Sequence, residues 1–167
     1  SDCYKENIVS NKTLYQANTP GTIAGEGAAM FLANNIRENA IARIDIIKTL
    51  FTTDTAEVLQ FINTLLTQNP VDVLLSGENG DNRLQHFYDA CESCLTTDTA
   101  IARFKHLCGE YPTASAFATF LGCDILQKQE APDVTVKKSG AAKQVEKILI
   151  YNNYQGKQHN FVIVSKA

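Results

Sequence analysis

The feature that most constrains the fold is the way the spacing of apolar residues changes along the chain. Short apolar runs typical of strands alternate with three longer stretches in which apolar residues recur at helical spacing. This alternation predicts an α/β fold: a mixed, mainly parallel sheet packed with helices, with an antiparallel pair at its end. The predicted strands are 22–34, 41–48, 71–75, 99–104, 145–151 and 160–165, and the predicted helices lie at 54–69, 84–91 and 112–126.

The N-terminal part is expected to differ from the rest of the chain. Residues 1–21 are polar and are interrupted by Pro20 and Gly21, which predicts a loop or a poorly ordered arm. Residues 22–167 are expected to form one domain, whose first two strands pair as an antiparallel ribbon across the turn at 35–39. The last predicted helix is rich in Ala, Ser and Gly, so it is expected to lie between two layers.

Composition and charge exclude several classes of function. The chain is 44% hydrophobic and 20% charged, and its net charge of -3 provides no basic field for nucleic acid. Its sequence contains neither an apolar run long enough for a membrane span nor a signal-peptide pattern, so we predict no membrane insertion. Five cysteines without the spacing of a disulfide framework favour a reducing, cytoplasmic location.

Three short motifs carry a resemblance to a known family. Gly25-Glu26-Gly27-Ala28, ahead of an apolar run, is similar to the Gly-Glu-Gly-Ala segment of β-ketoacyl-[acyl-carrier-protein] synthases. The stretch from Lys105 to Glu110, followed by a helix of small residues, resembles the family's Lys-Ser-x-x-Gly-His segment and alanine-rich helix. The stretch from Asn152 to Asn160 resembles the family's terminal Asn-Ser-Phe-Gly-Phe-Gly-Gly-Thr-Asn loop.

The resemblance implies the thiolase fold, which consists of two related βαβαβαββ halves. This chain would hold the second half and the end of the first. The family catalyses decarboxylative condensation of acyl groups carried by acyl carrier protein, with a Cys in the first half and two His, and the resemblance implies no cofactor. Position therefore assigns the nucleophile's role to none of the cysteines in this chain.

The sequence departs from the family pattern at the positions that carry the chemistry. Gly77 and Glu110 stand where the two histidines are expected. An imidazole donates a hydrogen bond to a developing enolate, whereas glycine has no donor and an ionised carboxylate repels that charge. The glycine-rich gate is also altered, which leaves Tyr154, Gly156 and Asn160 as candidate tunnel or gate residues. Lys105 is either a retained active-site residue or a solvated lysine, and Glu110 is expected to favour the N-terminus of the following helix.

Within the family, a sequence with these departures resembles the chain-length-factor type, a non-catalytic subunit of fatty-acid or polyketide (aryl-polyene-like) synthesis, and we predict that role. Its partners would be acyl chains on acyl carrier protein and a ketosynthase, or a second copy of itself. One alternative is an active 3-oxoacyl synthase whose Cys lies outside this chain. A second alternative is a zinc-dependent binding module, because thiols and an imidazole recur at spacings that resemble a zinc site: Cys91, Cys94, His106 and Cys108.

Overall fold

The computed structural model describes residues 3–7 and 10–167 and is organised around a six-stranded mixed sheet. Its strands are β1 Ala42–Phe51, β2 Val73–Ser76, β3 Ala100–Arg103, β4 Val136–Lys138, β5 Lys147–Tyr154 and β6 Gln158–Lys166. Its helices are α1 Thr55–Gln68, α2 Gln85–Ser93, α3 Lys105–Cys108 and α4 Ala114–Lys128, with 3-10 turns at Asn11–Gln16 and Asp133–Thr135.

The strands are ordered β1-β6-β5-β2-β3-β4, and the predicted mixed α/β class is confirmed. Strands β5, β2 and β3 are parallel neighbours at the centre of the sheet. Strand β6 is antiparallel to both β1 and β5, and β4 is antiparallel to β3. Four of the six strands, β1, β2, β3 and β5, therefore point in the same direction, and their carboxyl ends lie at one edge of the sheet.

Alternation along the strands divides the core into two layers. On β2, Leu74 packs with helices α1 and α2, whereas Val73 and Leu75 pack on the opposite face with α4. Helix α1 begins where the sequence predicts, because the carboxylate of Asp54 accepts a hydrogen bond of 2.8 Å from the backbone N–H of Ala56.

Helix α4 lies very close to the sheet because its inner surface is made of small residues. A Cβ atom at Gly122 would lie 3.4 Å from Val164 and 3.5 Å from Leu75. The opposite side of α4 has no second layer among the described residues, and Phe120 is 55% exposed there. Helix α4 thus packs against a layer on its sheet side, as predicted, but the predicted second layer on its other side is not found among the described residues.

The predicted strand at 22–34 and its antiparallel ribbon with 41–48 are wrong. Only Thr22 and Ala24 of that segment form isolated bridges, and β1 pairs with β6 instead. Met30 and Leu32 are 97% and 95% exposed, because no strand of the described chain lies beside them. From β1 onward the main elements follow the order β-α-β-α-β-α-β-β, with the short edge strand β4 inserted in the predicted connector at 132–140.

The N-terminal arm packs more closely on the domain than its polar composition predicts. Leu14, in the 3-10 turn at Asn11–Gln16, is fully buried and lies against Gly80. The ammonium group of Lys5 donates hydrogen bonds of 2.9 Å to the carbonyl oxygens of Thr19 and Gly80. Residues 1, 2, 8 and 9 of the predicted arm lie outside the described residues.

Across the described ranges, no helix combines the length and the apolar character that crossing a membrane requires.

We expect Ile62→Ala to lower the free energy of unfolding by about 2–5 kcal/mol, since it leaves a cavity in the layer beneath α1. Ile62 is fully buried, whereas Leu59 on the same helix is 40% exposed. Leu59→Ala is therefore the matched control, with an expected loss well under half as large, measured by urea unfolding of both variants. Equal losses would contradict the assigned orientation of α1.

Candidate functional site

Two of the three motifs of the sequence meet at the carboxyl end of β3. The segment around Gly25 lies directly on the turn that ends at Glu110. The backbone N–H of Gly25 donates to the carbonyl of Glu110 at 3.2 Å, and the N–H of Glu110 donates to the carbonyl of Ile23 at 2.9 Å. The first motif is therefore a backbone support for the second, although the apolar run that follows it forms no strand.

The centre of the site is a buried ion pair. The ammonium nitrogen of Lys105 lies 2.6 Å from Oε1 of Glu110, and the side chains are 0% and 12% exposed. The other carboxylate oxygen accepts a hydrogen bond of 3.0 Å from Nδ2 of Asn79, in the loop after β2. Both oxygens are thus acceptors, as expected of an ionised carboxylate, and the possibility that Lys105 is a solvated lysine is excluded.

The expected capping role of Glu110 is wrong. Helix α4 begins at Ala114, and the preceding residue, Thr113, makes no side-chain capping bond. The side chain of Glu110 turns back to Lys105 instead. A buried ammonium group without a counter-charge costs more free energy than a helix N-terminus without a nearby carboxylate.

Glycines allow the two backbones of the site to approach each other. Gly109 ends α3 with φ of 72°, and a Cβ there would lie 2.6 Å from the carbonyl oxygen of Ala24. A Cβ at Gly25 would overlap the carbonyl oxygen of Cys108. Side chains at either position would push the first motif away from the Glu110 turn.

Gly77 occupies a position that is closed by β5. Its N–H donates to the carbonyl of Tyr151 at 2.7 Å, and a Cβ at Gly77 would lie 2.5 Å from Oδ1 of Asn152. A histidine at this position would therefore require β5 or the Asn152 side chain to move. The position where the resemblance implies an imidazole thus holds a close strand contact and no side-chain donor.

The three candidate gate residues are not brought together in one loop. The segment between β5 and β6 is a tight hairpin, in which Gln155 and Gly156 have φ of 55° and 65° and Lys157 N–H donates to Tyr154 O at 3.1 Å. Positive φ at both central residues is the sign that a type I′ turn has, and three residues, 155–157, separate β5 from β6. The predicted polar loop is consequently much shorter than expected.

Each gate candidate has a different environment. Tyr154 is exposed at the end of β5, and Gly156 lies against Leu84 and Phe87 beside α2. Asn160 lies within β6, where its Oδ1 accepts a hydrogen bond of 3.0 Å from Thr49 of β1. No contact joins any of the three to the Lys105–Glu110 pair among the described residues.

A second, partly buried network beside the ion pair was not predicted from the sequence. Glu78, which follows Gly77, lies 3.2 Å from Arg103 and 2.7 Å from Lys137. Lys137 also lies 2.7 Å from Glu92. Burial acts to lower the pKa of Lys137, but its hydrogen bonds to both carboxylates outweigh that effect and raise the pKa. The partners are far apart in the chain, so no local pattern reveals them.

The imidazole nearest the site, His106, is already engaged. Its Nδ1 lies 3.0 Å from the hydroxyl of Tyr15, and its Nε2 lies 2.9 Å from the carbonyl oxygen of Val134. The guanidinium of Arg103 stacks 3.6 Å from the centre of the Tyr15 ring. His106 therefore holds the N-terminal arm, and its ring nitrogens do not face the ion pair.

The residues of the zinc alternative are used elsewhere. Cys91 is buried in the core beneath α2, and Cys94 lies at the end of that helix. Burial raises the pKa of the Cys108 thiol to about 11, which keeps it protonated at neutral pH. Within residues 3–7 and 10–167, no group of three or more His, Cys, Asp or Glu side chains is arranged to hold a metal ion.

Comparison with known proteins supports the fold only. No family model and no curated protein sequence matches this chain. One solved structure that resembles it is described as apo AntDE:AntF, a type II polyketide synthase acyl carrier protein in complex with its ketosynthase bound to the hexaketide. The match has a TM-score of 0.55 and 11% identity, and it covers 76% of this chain and 34% of that chain. This chain thus spans about a third of its neighbour's length, and at this identity the likeness shows a shared fold.

Breaking the ion pair from one side should be strongly destabilising, because the remaining charge would be buried without a partner. We expect Lys105→Met alone to lower the free energy of unfolding by about 3–5 kcal/mol. Lys105→Met combined with Glu110→Gln should recover a substantial part of that loss, since both charges are removed together. Urea unfolding measures all the variants.

The matched control is Lys128→Met, in the exposed pair between Lys128 and Asp124. Its loss should be about 1 kcal/mol or less. A Lys105→Met loss as small as that of the control would show that the pair is not buried.

Proposed function

We propose that this chain forms one half of a thiolase-fold subunit related to β-ketoacyl synthases, and that the subunit does not itself catalyse condensation. It would act as a chain-length-factor-type partner of an active ketosynthase, beside acyl chains carried by acyl carrier protein. The observation that carries the proposal is the buried Lys105–Glu110–Asn79 cluster at the position where the family pattern places an imidazole.

The order of the elements supports the fold part of the proposal. From β1 to β6 the chain follows βαβαβαββ, the order of one thiolase half, apart from the short strand β4. The solved neighbour is a chain of a ketosynthase complex, and the match covers about a third of that chain. A match of that extent is expected if this chain corresponds to one half of a larger two-half subunit.

The chemistry of the site supports the non-catalytic part. Stabilising an enolate requires hydrogen-bond donors aimed at the developing oxyanion. Glu110 contributes acceptors, and the ammonium of Lys105 is held by that carboxylate at 2.6 Å. Gly77 offers no side chain, and Asn152 occupies the adjacent space. No imidazole donor remains at either of the two motif positions.

The uncovered face of the sheet supports a companion half. Ile46 and Leu50 of β1 pack on the α1 side, so Ile47 and Phe51 point to the side of α4. Ile47, Phe51 and Phe120 on that side are all more than half exposed. An apolar face of this kind is typical of an interface, and the companion half of the proposed subunit would cover it.

The direct test is turnover by the full-length protein. With malonyl-loaded acyl carrier protein and a primed acyl chain, we expect no decarboxylation or elongation above the rate without enzyme. A ketosynthase with its Cys and both His intact serves as the positive control under the same conditions. Robust turnover by the protein alone would contradict the non-catalytic assignment.

A second measurement separates the active-synthase alternative. A covalent synthase inhibitor that targets the nucleophilic Cys should leave the full-length protein unlabelled and should label the control ketosynthase, as read by intact-mass spectrometry. Stoichiometric labelling at a Cys outside this chain, together with turnover, would favour an active synthase whose histidine roles are filled by other residues.

A further inference from the structure

We propose that His106 and Tyr15 form a pH-dependent latch, which fixes the 3-10 turn of the N-terminal arm against α3 at neutral pH and loosens it in acid. This inference does not depend on the proposed function. It rests on the hydrogen bonds of both ring nitrogens of His106 and on the place where the arm meets the site.

The hydrogen bonds define the tautomer of His106. A carbonyl oxygen can only accept, so the 2.9 Å contact with Val134 O requires a hydrogen on Nε2. In the neutral ring, Nδ1 is then an acceptor, and the hydroxyl of Tyr15 donates to it across 3.0 Å. The same hydroxyl oxygen accepts the backbone N–H of His106 at 3.3 Å, so Tyr15 is held by two bonds.

Protonation of Nδ1 removes the acceptor for the Tyr15 hydroxyl. The protonated Nδ1 would instead donate to the hydroxyl oxygen, and the hydroxyl hydrogen of Tyr15 would be left without its acceptor. The new positive charge would also lie near Arg103, whose guanidinium stacks on the Tyr15 ring. Acid therefore weakens the contact between Tyr15 and His106, while buried Leu14 and the hydrogen bonds of Lys5 still hold other parts of the arm.

The charged and titratable groups around the latch determine its pH range. Burial is the main effect that lowers the pKa of His106, and the positive charge of Arg103 lowers it further. Burial raises the pKa of Tyr15, so its hydroxyl stays protonated, while Glu78 and Cys108 act on Tyr15 from the neighbouring elements. The latch is thus fully closed above the ordinary histidine range, and it is lost as the pH falls through the lowered pKa of His106.

Release of Tyr15 would reach the ion pair through the arm. Thr22, at the end of the arm, donates from its hydroxyl to the carbonyl of Asn79 at 2.6 Å. The next residue, Ile23, accepts the N–H of Glu110 at 2.9 Å. A looser arm would therefore loosen the backbone supports of Glu110, which pairs with Lys105, and of Asn79, which donates to Glu110.

Limited proteolysis tests the latch, because Lys12 lies exposed in the arm and Lys143 lies in an exposed loop far along the chain. The ratio of tryptic cleavage after Lys12 to cleavage after Lys143 cancels the pH dependence of trypsin itself. From about pH 7.5 to about pH 5 we expect this ratio to rise about fivefold in the wild-type protein. A rise of that size corresponds to the loss of about one hydrogen bond.

Two variants provide matched controls. Tyr15→Phe keeps the ring over Arg103 but lacks the hydroxyl, so its ratio should already be high at neutral pH and should not change with acid. Tyr151→Phe removes the hydroxyl of the other tyrosine–histidine pair, in which Tyr151 lies 2.9 Å from Nδ1 of His159, and it should keep the wild-type response. A constant ratio in the wild type, or a full pH response in Tyr15→Phe, would overturn the latch.

A measurement on the wild type needs no variant. Long-range proton–nitrogen NMR spectra at neutral pH should show His106 as the Nε2–H tautomer and should show its Nδ1 becoming protonated over the pH range in which cleavage after Lys12 rises. An Nδ1–H tautomer at neutral pH would overturn the proposal.

Discussion

The buried ion pair between Lys105 and Glu110 is the interaction on which the candidate site depends. Burying an ammonium group costs roughly several kcal/mol of folding free energy unless a counter-charge and further hydrogen bonds compensate. Glu110 supplies the charge, and Asn79 satisfies its second oxygen. The close packing of the first motif, with glycine at positions 25 and 109, keeps the Glu110 turn where this geometry is possible.

The same pair explains how the site differs chemically from a condensing site. Its charges are balanced internally, so it is suited to maintaining the shape of the sheet edge and not to stabilising a new anion. The hairpin after β5 agrees with that role, since a turn with positive φ at Gln155 and Gly156 gives a short, well-defined connection.

Local patterns in the sequence predict much of this fold. Helical spacing and the Asp54 cap identify α1, and apolar runs identify the central strands, because both signals arise within a few residues of the chain. The run at 22–34 has the composition of a strand but no neighbouring strand, and pairing is a tertiary property that composition does not contain. The three-residue strand β4 is too short for a periodic signal.

The candidate site was partly predictable for the same reason. Lys105, Glu110 and Gly77 were identified from motif spacing, whereas the contact of Glu110 with the Gly25 segment is a tertiary feature that the sequence did not reveal. The partners of Glu78 were not identifiable, because Lys137 lies 59 residues away and no local pattern links the two. The hydrogen bond between Tyr15 and His106 spans 91 residues, and it likewise depends on the folded arm.

An experimental structure of the full-length protein tests the central claim most directly. From the proposed two-half subunit we expect a second α/β half to pack on α4 and cover Phe120, with the Lys105–Glu110 pair intact at the carboxyl ends of β2 and β3. A structure in which α4 faces solvent, or in which Lys105 extends away from Glu110, would contradict it.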